Sequence, residues 1–211
     1  MSSFHLEAIG EEQRTVARRI GPVAEARGFH LAGGTAVALH LGHRRSVDLD
    51  FFTEEAFDVP LELAETLRRQ DKSFASESVA PGTLHGTAEG VRVSFLEYRY
   101  PLLRPPVPWP EAGCALAALD DLAAMKLAAV AQRGAKKDFF DLHALTQAHR
   151  PLAELLPLYR EKYEASDLAH VFYALTYFDD ADAQPTPALL GDVTWPDVKE
   201  AVRAGVRELA A

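Results

Sequence analysis

Cysteine is almost absent. Cys114 is the single one in 211 residues, so no internal disulfide can form and a reducing compartment takes nothing from the fold. No uncharged apolar run approaches the roughly 18 residues of a membrane span, and Ser2–Glu12 carries acids and lacks the apolar stretch of a secretory leader. A cytoplasmic protein without a membrane partner is expected. Positive charge is also short: 22 Lys and Arg stand against 31 Asp and Glu, net −9, which excludes a chain that coats nucleic acid through phosphate contacts but leaves room for a local basic pocket. Internal repeats and low-complexity tracts are missing too. What remains is an ordinary globular composition, 48% hydrophobic and 25% charged, at a length where folding can bury about 70% of the chain surface.

Along the chain, Glu11–Arg27 places Val16, Ile20, Val23 and Ala24 on one helical stripe. Phe29–Ala32 reads as a short strand, Gly33-Gly34 as a break, and Thr35–Leu41 as a helix. Val47–Phe52 alternates apolar and acidic residues, the period of a half-buried strand. A helix opened by Pro60 and running to about Gln70 precedes three strands, Ser73–Val79, Thr83–Thr87 and Val91–Tyr98. Pro101–Pro110 holds prolines at 101, 105, 106, 108 and 110, which predicts irregular structure and a domain boundary. Beyond it the pattern is helical. The expected fold is α+β: a mixed sheet with helices over residues 1–105, then a helical domain over 111–211.

The chemistry concentrates in Leu31-Ala32-Gly33-Gly34-Thr35 and, thirteen residues after Thr35, Asp48-Leu49-Asp50. Two glycines between a strand and a helix let a phosphate approach the backbone, where the amides of Gly34 and Thr35 and the helix dipole favour an anion. Two acids at i and i+2 of a strand share a face and can share a pair of hard divalent cations, Mg²⁺ being typically held by a few carboxylates plus substrate phosphates. Each half is common by itself, as a turn or as a solvated strand face. In this order, on these elements, they form a metal-and-triphosphate arrangement.

The sequence resembles the nucleotidyltransferase superfamily and, more narrowly, the AbiEii/AbiGii toxin family. The resemblance is carried by Ala32-Gly-Gly-Thr-Ala36, Leu41-Gly-His-Arg-Arg-Ser-Val-Asp-Leu-Asp-Phe-Phe52, Met125-Lys126 and Arg133-Gly-Ala-Lys-Lys-Asp-Phe-Phe-Asp-Leu142, and extends to Tyr177-Phe-Asp-Asp180. It implies transfer of a nucleoside monophosphate from an NTP, with pyrophosphate leaving, in a toxin–antitoxin or phage-defence system. Mg²⁺ or Mn²⁺ is the implied metal, RNA or a tRNA 3′ end a possible acceptor, and a cognate antitoxin a possible protein partner. Asp48 and Asp50 would be catalytic metal ligands. Gly33, Gly34, Thr35, Arg44, Arg45 and Ser46 would bind the nucleotide phosphates, and Lys126 and Asp138 would complete the catalytic set. Asp138 is preferred to Asp141 because Asp141 could equally be a structural partner of Arg133, and His43 reads as a polar loop residue.

One departure stands out. Where polymerase-like members carry a third carboxylate on a later strand, Val91–Leu96 has Ser94, and Glu97 is three residues on, hence on the opposite face. Two rivals to the transferase toxin follow: a degenerate fold that binds a nucleotide or a partner without turnover, and an enzyme that nucleotidylates a small molecule such as an antibiotic.

Overall fold

The structure is a computed structural model that describes residues 4–209; Met1–Ser3, the start of the stretch read above for a leader, and Ala210–Ala211 lie outside the described residues. Seven strands form one mixed sheet: β1 (His30–Leu31), β2 (Leu49–Thr53), β3 (Ala75–Ala80), β4 (Thr83–Ala88), β5 (Val91–Glu97), β6 (Val107–Trp109) and β7 (Cys114–Leu116). Their order is β3-β4-β5-β2-β1-β7-β6, with β2–β5 and β1–β7 parallel and the other pairs antiparallel. The α+β expectation holds, and the sheet alternates as its sequence does. Leu49 and Phe51 on β2, Val93 and Phe95 on β5 and Leu84 on β4 are buried on one face, where the Phe51 and Phe95 rings stack at 5.2 Å. Helices α1 (Glu11–Glu25) and α3 (Pro60–Gln70) bring Val16, Ile20, Leu63 and Leu67 to the core, α1 packing with β2, β5 and β7 and α3 with β3 and β4. The other face carries Asp50, Ser94 and His85, all half-buried.

The proline segment corrects an expectation. Val107–Trp109 is regular structure, the outermost strand β6, with Pro108 opposite Ala115; an edge strand tolerates a proline because one side of its ladder has no partner to lose. The hairpin β6–β7 therefore extends the sheet, joined to β1 through Leu31↔Leu116.

Two compact units result, and they do not follow chain order. The sheet unit comprises Ile9–Ala36 and Ser46–Ala118. The helical unit comprises the described residues up to Ala8, Val37–Arg45, and Leu119 onward. The latter takes the second half of α2 (Gly33–Leu41) and holds α4 (Leu119–Arg133), α5 (Lys136–Ala148), α6 (Leu152–Tyr163), α7 (Ala169–Thr176), α8 (Asp179–Asp182) and α9 (Trp195–Leu209). The change of unit thus comes at Ala118/Leu119, not within residues 105–111, because the proline-rich segment is tied to the sheet by backbone hydrogen bonds. Among the described residues no helix is long and apolar enough to cross a membrane.

Candidate active site

In the sheet unit, β1 delivers the chain to Gly33, whose φ of +65° is a left-handed conformation natural to glycine. A Cβ there would stand 3.3 Å from Asp50 Oδ2. The Ala32 amide donates to the Asp50 carbonyl at 2.9 Å, so the turn is laid directly on the acid. Thr35 is buried and spends its hydroxyl on Ser46 Oγ, at 2.7 Å, and on the Asp48 carbonyl. Thr35 and Ser46 therefore brace the turn against the entrance to β2, and the groups left for a phosphate are backbone amides at the start of α2.

The strand begins at Leu49, so Asp48 stands at its entrance rather than inside it. Its carboxylate still lies on the Asp50 face, because it meets Arg92 bidentately, Nε to Oδ1 at 2.9 Å and Nη2 to Oδ2 at 3.2 Å, and Arg92 is two residues from Ser94, the register partner of Asp50. Asp50 itself makes no ion pair among the described residues. Two carboxylates on one face fit a hard divalent cation that takes its other oxygens from phosphate and water. Among the described residues no group of three or more His, Cys, Asp or Glu could hold a metal. Glu97 is no third: its Oε2 accepts the Phe57 amide at 2.8 Å, and that bond, with Arg99 beside it, holds its carboxyl below the ordinary range.

A cation at Asp48 would have to displace Arg92, whose side chain is 68% exposed. An exposed ion pair contributes at most about 1 kcal/mol. Arg92→Ala should therefore tighten Mn²⁺ binding up to about fivefold, read by calorimetry without nucleotide, with the melting temperature nearly unchanged. Unchanged or weaker Mn²⁺ binding would show that Arg92 does not guard the acid.

In the helical unit the other predicted residues meet in a buried ionic network. Lys126, 4% exposed, donates to Asp138 Oδ1 at 2.8 Å and lies 2.6 Å from Asp141 Oδ2. Arg133 closes on Asp138 through Nε and Nη2 at 2.7 and 2.9 Å. Arg44 does the same to Asp141, at 2.6 and 2.9 Å, and His43 Nε2 lies 2.7 Å from Asp141 Oδ1. Asp138 and Asp141 are both fully buried. Burial opposes their ionisation, but the bonds and charges of Arg133 and Lys126 outweigh it at Asp138, and Lys126, Arg44 and His43 do so at Asp141; both carboxyls are held below the usual range. The segment carrying Arg44 is itself clamped, Arg45 N to Ala188 O and Leu190 N to His43 O. Arg44 is thus committed to Asp141, whereas Arg45 is exposed. Arg133 pairs with Asp138 rather than Asp141, and His43, expected as a loop residue, belongs to the network.

The family model for the AbiEii nucleotidyl transferase toxin of Type IV toxin–antitoxin systems matches residues 14–209. The chain belongs to this family. It is, accordingly, a nucleotidyltransferase. An uncharacterized protein of Aquifex aeolicus (strain VF5) is 35% identical over 206 residues, 96% of this chain and 98% of its own length. Among solved structures, MenT4, nucleotidyltransferase toxin Rv2826c from Mycobacterium tuberculosis H37Rv, superposes with a TM-score of 0.63 at 17% identity, covering 94% of this chain and 81% of that one. JHP933 from Helicobacter pylori gives 0.52 at 14%, covering 95% and 91%. At those identities the two likenesses speak for the fold.

The structure of this AbiEii-family chain adds residues that sequence reading passed over. Arg92 and His85 stand on the polar parity of β5 and β4, visible as the alternations Val91-Arg-Val-Ser-Phe and Thr83-Leu-His-Gly-Thr, but nothing in one sequence aligns those strands with β2. Asp141 is held by Lys126, Arg44 and His43 rather than by Arg133, which turns to Asp138 across the junction between α4 and α5.

Proposed function

We propose that this chain moves a nucleoside monophosphate from an NTP to a hydroxyl of RNA, a tRNA 3′ end among the candidate acceptors, with Mg²⁺ or Mn²⁺, as a cytoplasmic toxin opposed by an antitoxin. The observation that supports the reading is the Gly33 turn lying on Asp50, which sets a helix start suited to an anion beside an acid suited to a metal. Asp48 and Asp50 would hold the metal, which when bound offsets the triphosphate charge and polarises the α-phosphate. The acceptor oxygen forms a bond to the α-phosphorus as the bond to the β-phosphate oxygen breaks and pyrophosphate leaves. Gly33 and Gly34 hold phosphate oxygens through the backbone, and Arg45 adds an exposed positive charge. Thr35 and Ser46 act by fixing the turn, and Arg44 by fixing Asp141. Lys126 acts by joining Asp138 to Asp141, and Asp138 by holding Lys126 and Arg133. RNA as acceptor is supported by the family resemblance.

The test incubates the protein with each of the four α-³²P-labelled NTPs, with total RNA and total protein as acceptors, with and without EDTA. Label in RNA, lost with EDTA, is expected. Label in protein would replace the RNA reading. Nucleotide binding without transfer from any NTP would mark the chain as a binding module.

A further inference from the structure

The missing third acid has a counterpart one strand away. Across β2, β5 and β4 the register pairs Asp50 with Ser94 and Ser94 with His85, so the three side chains form a row on the polar face. All three are half-buried, whereas their neighbours Leu49, Val93 and Leu84 are buried on the other face. His85 Nδ1 lies 3.1 Å from Ser94 Oγ, and its Nε2 has no hydrogen-bond partner among the described residues. Adjacent strands lie about 4.8 Å apart, so acid and imidazole stand about two strands apart with the short Ser94 between them. The row sets Asp50 and His85 on either side of Ser94.

We propose that His85 is the general base of the transfer, taking up the work that a carboxylate at position 94 does not do. The inference rests on the transferase reading above. With its Nδ1–H donating to Ser94 Oγ, the neutral ring presents the Nε2 lone pair. The acceptor hydroxyl, seated over Ser94, gives its proton to Nε2 as its oxygen bonds to the α-phosphorus and the bond to pyrophosphate breaks; the imidazolium then releases the proton to water. Ser94 is a positioning residue that holds the ring in the required tautomer. The charged groups beside His85 are Arg92, two residues along β5 from Ser94 and itself bound to Asp48, and Glu77 in the β3 bulge next to Ser78; Asp50 is one strand further.

The experiment measures single-turnover transfer from α-³²P-labelled NTP to total RNA by wild type, His85→Gln, His85→Ala, Ser94→Ala and Asp50→Asn, with NTP affinity and melting temperature in parallel. His85→Gln keeps a donor for Ser94 and removes the base. A rate loss of about 10²- to 10⁴-fold is expected, with NTP affinity within twofold and the acid limb of the pH–rate profile abolished. Ser94→Ala should lose about tenfold and keep the limb. His85→Gln at the wild-type rate with an unchanged profile, while Asp50→Asn is inactive, overturns the inference alone. Inactive wild type overturns the transferase reading and this inference with it.

Discussion

Asp50→Asn should lower nucleotide transfer by about a thousandfold or more and leave the protein as stable as before. A divalent cation contributes several kcal/mol of charge stabilisation to a phosphoryl transition state, and about 4 kcal/mol is a factor of a thousand. An asparagine keeps the shape beside Gly33 but loses the charge. Stability should not suffer, because Asp50 has no ion-pair partner among the described residues while Asp48, the nearest acid in sequence, already holds Arg92. Removing one of two like charges relieves repulsion, so the melting temperature should stay or rise. The double variant Asp48→Ala/Asp50→Ala should lose metal-dependent NTP binding altogether, and a host expressing it should grow where wild type arrests growth. Calorimetry showing unchanged Mg²⁺-NTP binding in the double variant would move the metal site elsewhere.

The second large effect lies in the helical unit and has the opposite character. Asp141→Asn should cost about 3–5 kcal/mol, because Lys126 and Arg44, both buried, would lose a fully buried counter-charge. At 2–4 °C per kcal/mol for a chain of this size, that is a fall of roughly 10 °C in melting temperature. The pH dependence follows from the sign of the shift. Asp141 and Asp138 ionise below their ordinary range in the folded state. Their contribution is therefore complete above the unfolded carboxylate pKa, near 4, and is lost as pH falls through the lower folded values. The gap between wild type and Asp141→Asn should be constant from pH 6 to 8 and narrow below about pH 4. A gap that instead widens on acidification would contradict an ionised Asp141.

How much of this was legible in the residues varies by element. Alternation set β2, β4 and β5 to within two residues, and the helix opened by Pro60 ends at Gln70 as expected, because local stripes and a proline at the first turn act over a few residues. The proline segment was misread because proline is excluded from ladders only where both edges are paired, and edge position is a property of the sheet. Arg44 looked like a phosphate ligand beside Arg45. Only the fold reveals that its guanidinium turns to an aspartate ninety-seven residues away.

By itself, then, the sequence determined the glycine turn, the two acids after it and the faces on which they lie, since backbone conformation and strand period depend on near neighbours. The tertiary structure decided which charges are spent on each other and which stand in one row: Lys126 between Asp138 and Asp141, Arg92 on Asp48, His85 and Ser94 beside Asp50. Those pairings arise from register and packing between distant segments, where the cost of burying an unpaired charge selects partners that sequence spacing does not specify.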